Sequence, residues 1–499
     1  MEEQSGTKNG IKRLLKHFSP FHLDVEGTGV VIPEQVHKSM HYSISEGALA
    51  GVMAVFTGGV VLTGLALALG ANEFVIGLIA GIQAGANLFQ LRAYRRLERS
   101  GKRKSMAVMF ATVSRLVWVF VAVLLLISWD GFHAYRLWLF ILLYAASAVL
   151  GIYSAVPWVS WLVDLVPEKV RGRFFAQRNL AAGAVGVILG IGAGKFIDFW
   201  NEHSIGPATT AFAILIGVGL IFGFRAVQKQ RMMYDPPFPH HGSRMTFWET
   251  LRDPFRNHNF RRLFYFRIAF DFSMGVAGTF YGVYMLTQAN LSFTFVAAMA
   301  MITTLMNFIA LKPWGRILDR FGNKPVLQIC VTGKILFAFL WLFTSPETLW
   351  LYPIIHLFGV FDAGIAVAIP NLVYKTAPVE RRSNYIAVDG TVVGIAATIA
   401  PLIGGGLAMA FADQQISFGL GGWRQFHLLF MLALLLRIVA MRLLSHVQES
   451  DAKRVVHVIR VISPVTGIDM FEGFQQVLHS VSAPARYVIE RLVDRTKSD

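Results

Sequence analysis

The sequence predicts an all-α polytopic membrane protein of twelve spanning helices, arranged as two related six-helix halves. Three observations carry that prediction. The first is composition: of 499 residues, 55% are hydrophobic and only 15% charged, and the mean hydropathy is +0.52, whereas soluble domains carry about 25% charged residues. The second is a series of apolar stretches, each about as long as the ~20 residues a helix needs to cross a bilayer. The third is a charged turn that occurs twice. Gly315-Arg316-Ile317-Leu318-Asp319-Arg320-Phe321-Gly322-Asn323-Lys324-Pro325 has a worn copy in Tyr94-Arg95-Arg96-Leu97-Glu98-Arg99-Ser100-Gly101-Lys102-Arg103-Lys104. Aligning Gly101 with Gly322 sets Glu98 on Asp319, Arg99 on Arg320 and Arg103 on Lys324, at an offset of 221 residues.

Residues 1–44 read as a cytoplasmic N-terminal segment. Ile11, Leu14, Leu15 and Phe18 fall at helical spacing beside Lys12, Arg13 and Lys16, which suits a short basic helix on an anionic membrane surface. No compact apolar stretch precedes a small-residue cleavage site, so the first span serves as the insertion signal. The N-terminal half, 45–226, holds spans at roughly 45–70, 73–93, 104–128, 135–165, 177–198 and 206–226. Residues 227–261 are a cytoplasmic linker, too basic and too rich in proline (Pro236-Pro237-Phe238-Pro239) to span. Within it Trp248, Leu251, Phe255 and Phe260 suit an interfacial helix, and His240-His241 reads as a solvated pair before it reads as a metal site.

The C-terminal half, 262–446, holds spans at roughly 262–288, 292–313, 325–345, 348–376, 384–411 and 422–446. The fourth and tenth exceed what a bilayer requires and should tilt or project. The tail, 447–499, carries two apolar faces at helical spacing, Phe471, Phe474, Val477, Leu478 and Val481, then Val488, Ile489, Leu492 and Val493. Neither is long enough to span; both suit docking on the membrane or on a cytoplasmic partner.

Loop charge tests the count. Basic residues cluster in alternate loops: Arg92, Arg95, Arg96, Arg99, Lys102, Arg103 and Lys104; Lys169, Arg171, Arg173 and Arg178; Lys312, Arg316, Arg320 and Lys324; Lys375, Arg381 and Arg382. The opposite loops offer little beyond Arg136, Lys195 and Arg424. By the positive-inside rule both termini are cytoplasmic. The net charge of +16 therefore reports orientation, not a nucleic-acid partner. The single cysteine, Cys330, excludes an intrachain disulfide and a cysteine-rich metal site. No G-x-x-x-x-G-K-[ST] loop, nucleophile or metalloenzyme constellation stands out, so neither an ATP-driven pump nor an enzyme is expected, and no cofactor.

A second repeat supports the first. Pro157-Trp158 leads to Pro167-Glu168-Lys169-Val170-Arg171, and Pro370-Asn371 leads to Pro378-Val379-Glu380-Arg381-Arg382, at an offset of 211 between the exit prolines. An even number of spans per half makes the repeat parallel, about an axis along the membrane normal. On these residues the chain resembles the major facilitator superfamily: the turn from Gly315 to Lys324 is similar to that family's G-x-x-x-D-R-x-G-x-K/R loop signature, while in the first half Tyr94 replaces the opening glycine and Glu98 the aspartate. The resemblance covers roughly 45–446. It implies a cavity lined by the first, fourth, seventh and tenth helices, with the third, sixth, ninth and twelfth as support. It also implies a cytoplasmic gate of charged clusters, with Glu98, Arg99, Gly101, Glu168, Arg171, Gly315, Asp319, Arg320, Gly322, Lys324, Glu380 and Arg381 as candidates.

Ionisable residues inside spans are costly and usually mark a pathway or a pair. They are Arg115, Arg267, Asp271, Lys334, His356, Asp362, Asp389 and Arg437. Arg115, Lys334 and Arg437 fall on support helices, which implies snorkelling or structural pairing. Arg267 and Asp271, four apart, can pair along one face. Asp389, near the start of the eleventh helix, is grouped with the cytoplasmic charge cluster. Asp362 is the sharpest coupling candidate: sixteen residues before Pro378, about 24 Å of helix from the exit, with no partner nearby in sequence. Its alternatives are proton exchange and a structural pair with a lysine or arginine. Polar cavity candidates are Thr57, Thr63, Tyr144, Ser147, Tyr153, Ser154, Tyr281, Tyr284 and Asn371.

The expected function is secondary active transport of a small solute by alternating access, coupled to protons through Asp362. The aromatic, charge-poor lining favours a small neutral or amphipathic substrate over a polyanion. The unit is a monomer in the plasma (inner) membrane if the source is bacterial. The alternative is a transporter-like protein without transport activity, an assembly factor, sensor or lipid-handling protein, which the worn first loop and the long tail favour.

Overall fold

A computed structural model describes residues 33–127, 133–237, 253–378, 382–412, 414, 416–418 and 421–449. The expected surface helix at Ile11–Phe18, the pair His240-His241, Trp248, Leu251, Glu380, Arg381 and the apolar faces of the tail lie outside these residues. Twelve helices run in order among the described residues. The first half comprises α1 (Glu34–Thr57 continued by Gly59–Ala68), α2 (Glu73–Ser100), α3 (Arg103–Leu126), α4 (His133–Leu165), α5 (Glu168–Glu202) and α6 (Ala208–Met232). The second comprises α7 (His258–Gly278 continued by Phe280–Thr287), α8 (Phe293–Phe321), α9 (Asn323–Trp341), α10 (Leu351–Thr376), α11 (Arg382–Ala410) and α12 (Gln425–Ser445). A short antiparallel hairpin, β1 (Ile416–Phe418) and β2 (Gly421–Trp423), joins the last two.

Eleven of these helices are long and apolar enough to cross a membrane. The exception is α7, which carries Arg261, Arg262, Arg267 and Asp271. The bundle's outer surface is apolar, with Phe120, Leu142, Ile188, Ile221, Leu336 and Val439 all more than 45% exposed. Such a belt is what lipid, not water, would solvate. The chain is an integral membrane protein.

Local chemistry sets the helix ends. The Asn72 and Ser292 side chains accept from Val75 N–H and Phe295 N–H and so cap α2 and α8. Gly101 and Gly322, the glycines of the repeated turn, take φ of +64° and +96°, where a Cβ would be strained. The first helix begins at Glu34, not near 45. Met40 and Ile44 are fully buried with Trp161, Leu165 and Phe174, so residues 34–44 belong to the bundle.

The two halves meet along two seams. On the α2–α11 seam, a Cβ on Gly77 would lie 2.2 Å from Pro401 O, one on Gly81 2.8 Å from Thr398 O, and one on Gly405 2.4 Å from Glu73 O. On the α5–α8 seam, a Cβ on Gly194 would lie 2.8 Å from Thr294 Cα. Small residues let the backbones approach this closely. One face of the bundle, termed the basic face, carries the α2–α3, α4–α5, α8–α9 and α10–α11 connections. The opposite face carries the others. A single core, containing Phe56, Ile76, Trp118, Phe280, Val296, Trp341, Ala400 and Phe430, draws on helices of both halves. Towards the basic face the core divides. Met40, Trp161, Leu165, Phe174 and Met233 cluster within the first half, and Phe266, Trp314, Leu327, Leu372 and Leu444 within the second.

Candidate functional site, a cavity between the two halves

Where the shared core gives way to separate ones, a cavity of about 920 Å³ lies between the halves. Its wall is built from α1, α2, α3 and α4 on one side and α7, α8, α9 and α10 on the other. The first helix is interrupted at it: Gly58 is extended (φ −143°, ψ −171°) and Gly59 has φ +51°. The seventh is interrupted at Thr279, 221 residues after Gly58, so the repeat of the charged turn recurs in the cavity wall. Trp118, Tyr144, Tyr281, Phe337 and Trp341 supply aromatic surface; Thr57, Thr63, Gln83, Ser147, Thr279, Thr303, Thr304 and His356 supply polar atoms. Among the described residues, Lys334 is the only lysine, arginine, aspartate or glutamate in the lining.

Several expected residues line this cavity. Tyr144 donates its hydroxyl to Gln83 Oε1 at 3.2 Å. Tyr281 lines it while stacked on Phe430 at 4.7 Å. The His356 ring, whose Nδ1 lies 2.7 Å from Tyr352 O and therefore donates to it, stands 5.9 Å from the Trp341 ring. Thr57, Thr63 and Ser147 also contribute. Others stand elsewhere. Tyr153 packs on Phe110 at 5.1 Å, Ser154 donates to Ala107 O, Tyr284 donates to Thr344 O, and Asn371 is exposed on α10. Arg115 donates to Gly223 O and Ala111 O and ties α3 to α6.

Asp362 and Lys334 stand elsewhere than expected. Asp362 is absent from the wall and pairs with Lys334 Nζ at 2.8 Å, across α9 and α10. Lys334, expected on a support helix, is the member that faces the cavity. Sequence distance hid the pair: the two residues are close only once the helices pack. Arg437 keeps a structural role. It is fully buried and donates to Lys334 O at 2.7 Å.

A second charged layer lies between the cavity and the basic face. Arg267 on α7 pairs with Asp271 at 3.1 Å and with Asp389 on α11 at 3.2 Å. Asp389 therefore belongs to this interior pair and not to the loop cluster, since its side chain turns toward α7. In the first half Glu46 on α1, only 3% exposed, pairs with Arg178 on α5 at 2.9 Å and accepts from Gln230 on α6. The sequence reading missed this pair because it started α1 near 45 and left Glu46 at a helix end. The repeat offsets could have found it. Glu46 precedes Arg267 by 221 residues, and Arg178 precedes Asp389 by 211. The two pairs are thus repeat equivalents with their charges reversed.

The loop residues hold each half together. Arg103 on α3 pairs with Asp164 and with Asp235, just beyond α6. Its counterpart region in the second half is held by Glu449, just beyond α12. That carboxylate accepts from Asn323 N–H, Lys324 N–H and Asn323 Nδ2, and pairs with Lys375 at 2.9 Å. Burial raises the Glu449 pKa, but these donors outweigh it and hold the carboxyl below its ordinary range. Arg171 donates to Val163 O and Val166 O at the end of α4. Glu98 lies beside Tyr94, Lys324 Nζ donates to Ser445 O, and Arg320 lies over Phe321. Arg99, Glu168 and Asp319 are exposed, and Gly315 lies inside α8. Among the described residues, every ion pair at this face lies within one half.

The opposite face is fastened across the halves. Asp198 on α5 accepts from Phe293 N–H and Thr294 N–H at 2.8 Å each and from Thr294 Oγ1 at 2.5 Å, capping α8. Asn72 reaches Met409 Sδ at 3.7 Å, and Gln425 reaches Glu73 Oε1 at 3.5 Å. The sequence reading did not single out Asp198; its position near the end of an apolar helix was the available signal.

The family model described as "Major Facilitator Superfamily" matches residues 263–483. A curated relative, the class H tetracycline resistance protein of Pasteurella multocida, is 27% identical over 104 residues, which is 21% of this chain; the match spans about a quarter, 26%, of that relative's length. Among solved structures, a bacterial homologue of the human lysosomal transporter Spinster, inward-facing and unoccupied, matches with TM-score 0.58 at 14% identity over 85% of this chain and 100% of that one. The xylose transporter XylE from E. coli, in an inward-open conformation, matches with TM-score 0.61 at 14% identity over 85% of this chain and 99% of that one. The nucleoside transporter NupG matches with TM-score 0.60 at 11% identity over 82% and 99%. The second half of this chain thus matches the Major Facilitator Superfamily model, and the chain as a whole shares the fold of these transporters.

Proposed function

We propose that this protein is a secondary active transporter that carries a small solute by alternating access. The observation that carries the reading is the division of the core: one core shared by both halves at the opposite face, two separate cores at the basic face, and a cavity where they part. Such a body opens at one end by rocking its halves about the central site. With the basic face cytoplasmic by loop charge, both termini are cytoplasmic and this is the inward-open state. The membrane is the plasma (inner) membrane if the source is bacterial.

The reversed pairs supply the closing step. In rocking, α1 approaches α7 and α5 approaches α11 at the basic face. Glu46 then meets Arg267, and Arg178 meets Asp389, so the approach is attractive where identical charges would repel. The gate candidates Glu98, Arg99, Asp319 and Arg320 lie exposed or half-buried on that face, ready for the same approach. Protons couple at Asp362, the carboxylate bound to the cavity's own lysine. Flux into proteoliposomes, compared with empty vesicles and driven by a pH gradient, tests the reading. Solute uptake above background, with Asp362→Asn retaining exchange but losing proton drive, supports it. Absence of flux for a solute that binds the cavity would favour the non-transporting alternative.

A further inference from the structure

The cavity's charge is one-sided. Lys334 Nζ, with its side chain 4% exposed, faces the cavity beside the Phe337 ring, 4.4 Å from its centroid. Its counter-ion Asp362, with its side chain 28% exposed, is not among the lining residues. Behind the same wall Arg437 is fully buried, over Phe337 at 5.6 Å, and has no carboxylate partner among the described residues; its neighbours include Lys334 O, Met274 Sδ and the Tyr281 hydroxyl. Lys334, Arg437 and Asp362 together therefore hold one more positive than negative charge, with both cations buried and the carboxylate partly exposed; a buried charge without its own partner is costly. The Arg267 layer, with its two carboxylates, lies on α7 and α11 towards the basic face.

The rest of the lining holds no second lysine or arginine. Thr57, Thr63, Thr303 and Thr304 each donate the hydroxyl proton to a carbonyl one turn back, Met53 O, Gly59 O, Met299 O and Ala300 O. They turn only lone pairs and methyl groups to the cavity. Aromatic rings fill the space between.

We propose, resting on the transport reading above, that the substrate is an amphipathic monoanion. Its single carboxylate-like head binds Lys334 in exchange for Asp362, and its apolar body lies against Tyr144, Tyr281 and Trp341. A second anionic group would find no second lysine or arginine in the lining, so a monoanion is preferred over a polyanion. Neutral and cationic analogues of the same body lack the ion pair, and a cation meets Lys334 directly.

The experiment uses the full chain in detergent and three probes of one skeleton: 4-phenylbutanoate, 4-phenylbutanamide and 4-phenylbutylammonium. Thermal shift against concentration gives apparent affinities. The carboxylate should bind at least about tenfold more tightly than the amide, the worth of one charge-assisted bond, and the ammonium most weakly. Lys334→Gln should bring carboxylate and amide together, Lys334→Arg should keep the preference, and Asp362→Asn should strengthen carboxylate binding. Equal or tighter binding of the amide or ammonium, a preference that survives Lys334→Gln, or no shift with any probe overturns the proposal. Counterflow with the preferred probe separates the two readings. If the ammonium is preferred and carried, transport stands and the anionic class falls. If the carboxylate is bound but not carried, the class stands and transport falls.

Discussion

The Asp198 carboxylate is the clearest single fastener between the halves, and its removal has a calculable effect. It accepts two backbone N–H groups and one hydroxyl from the first turn of α8. Bonds to a charged group contribute about 1.5–3 kcal/mol each when shielded, and a carboxylate at a helix N-terminus adds up to about 2 kcal/mol. At the edge of the bundle water replaces these bonds when the face opens, so we take about 2–4 kcal/mol as the net preference for the closed face. Asp198→Ala should therefore raise the ratio of opened to closed opposite face about 30- to 700-fold. Spin labels at Glu202 and Glu347, exposed on that face in the first and second halves, report the change by pulsed electron paramagnetic resonance. The distance distribution should gain a longer component in Asp198→Ala and a smaller one in Asp198→Asn, which retains one acceptor oxygen. An unchanged distribution in both variants would refute the assignment of Asp198 as a cross-half lock.

Two further perturbations read the layers below. Arg178→Gln removes the ion-pair partner of buried Glu46, leaving only the Arg115 charge near it, and should cost about 3 kcal/mol of stability, read as a fall in melting temperature; Glu46→Gln with Arg178→Gln should recover most of it, and failure to recover would show that Arg178 acts through packing alone. For Glu449 the folded pKa is lowered, so its contribution is present above the unfolded value of about 4.3 and is lost as pH falls through the folded value. The melting-temperature gap between wild type and Glu449→Gln should be constant near neutrality and close below about pH 4; a gap that widens on acidification contradicts the clamp.

The twelve helices were legible because span length and loop charge are local properties of the chain. Even α7, which falls below ordinary apolarity, was readable from its place between the basic linker and the uncharged connection at 288–292. The repeated turn was legible too, since Gly101 and Gly322 mark the positive φ that the turn requires. Partnership was not. Lys334 and Asp362 meet only through the packing of α9 on α10, so a structural pair was open for each, but neither could be named as the other's partner. Glu46 was lost to a boundary set near 45, where Ser39, Ser43 and Glu46 lower the apparent apolarity of a segment that packs against α5 and α6. The fastening by Asp198 depends on the α5–α8 seam, a contact between halves that no single helix encodes.

Accessibility of the cavity from each side of the membrane tests alternating access most directly. A cysteine at Thr63, in the cavity wall, with the native buried Cys330 replaced by serine, can be labelled by a membrane-impermeant maleimide in sided vesicles. Labelling is expected from the basic face in the otherwise native protein, with a shift toward the opposite face when Asp198→Ala is added. Labelling from both faces at once, or from one face in every variant, would contradict it.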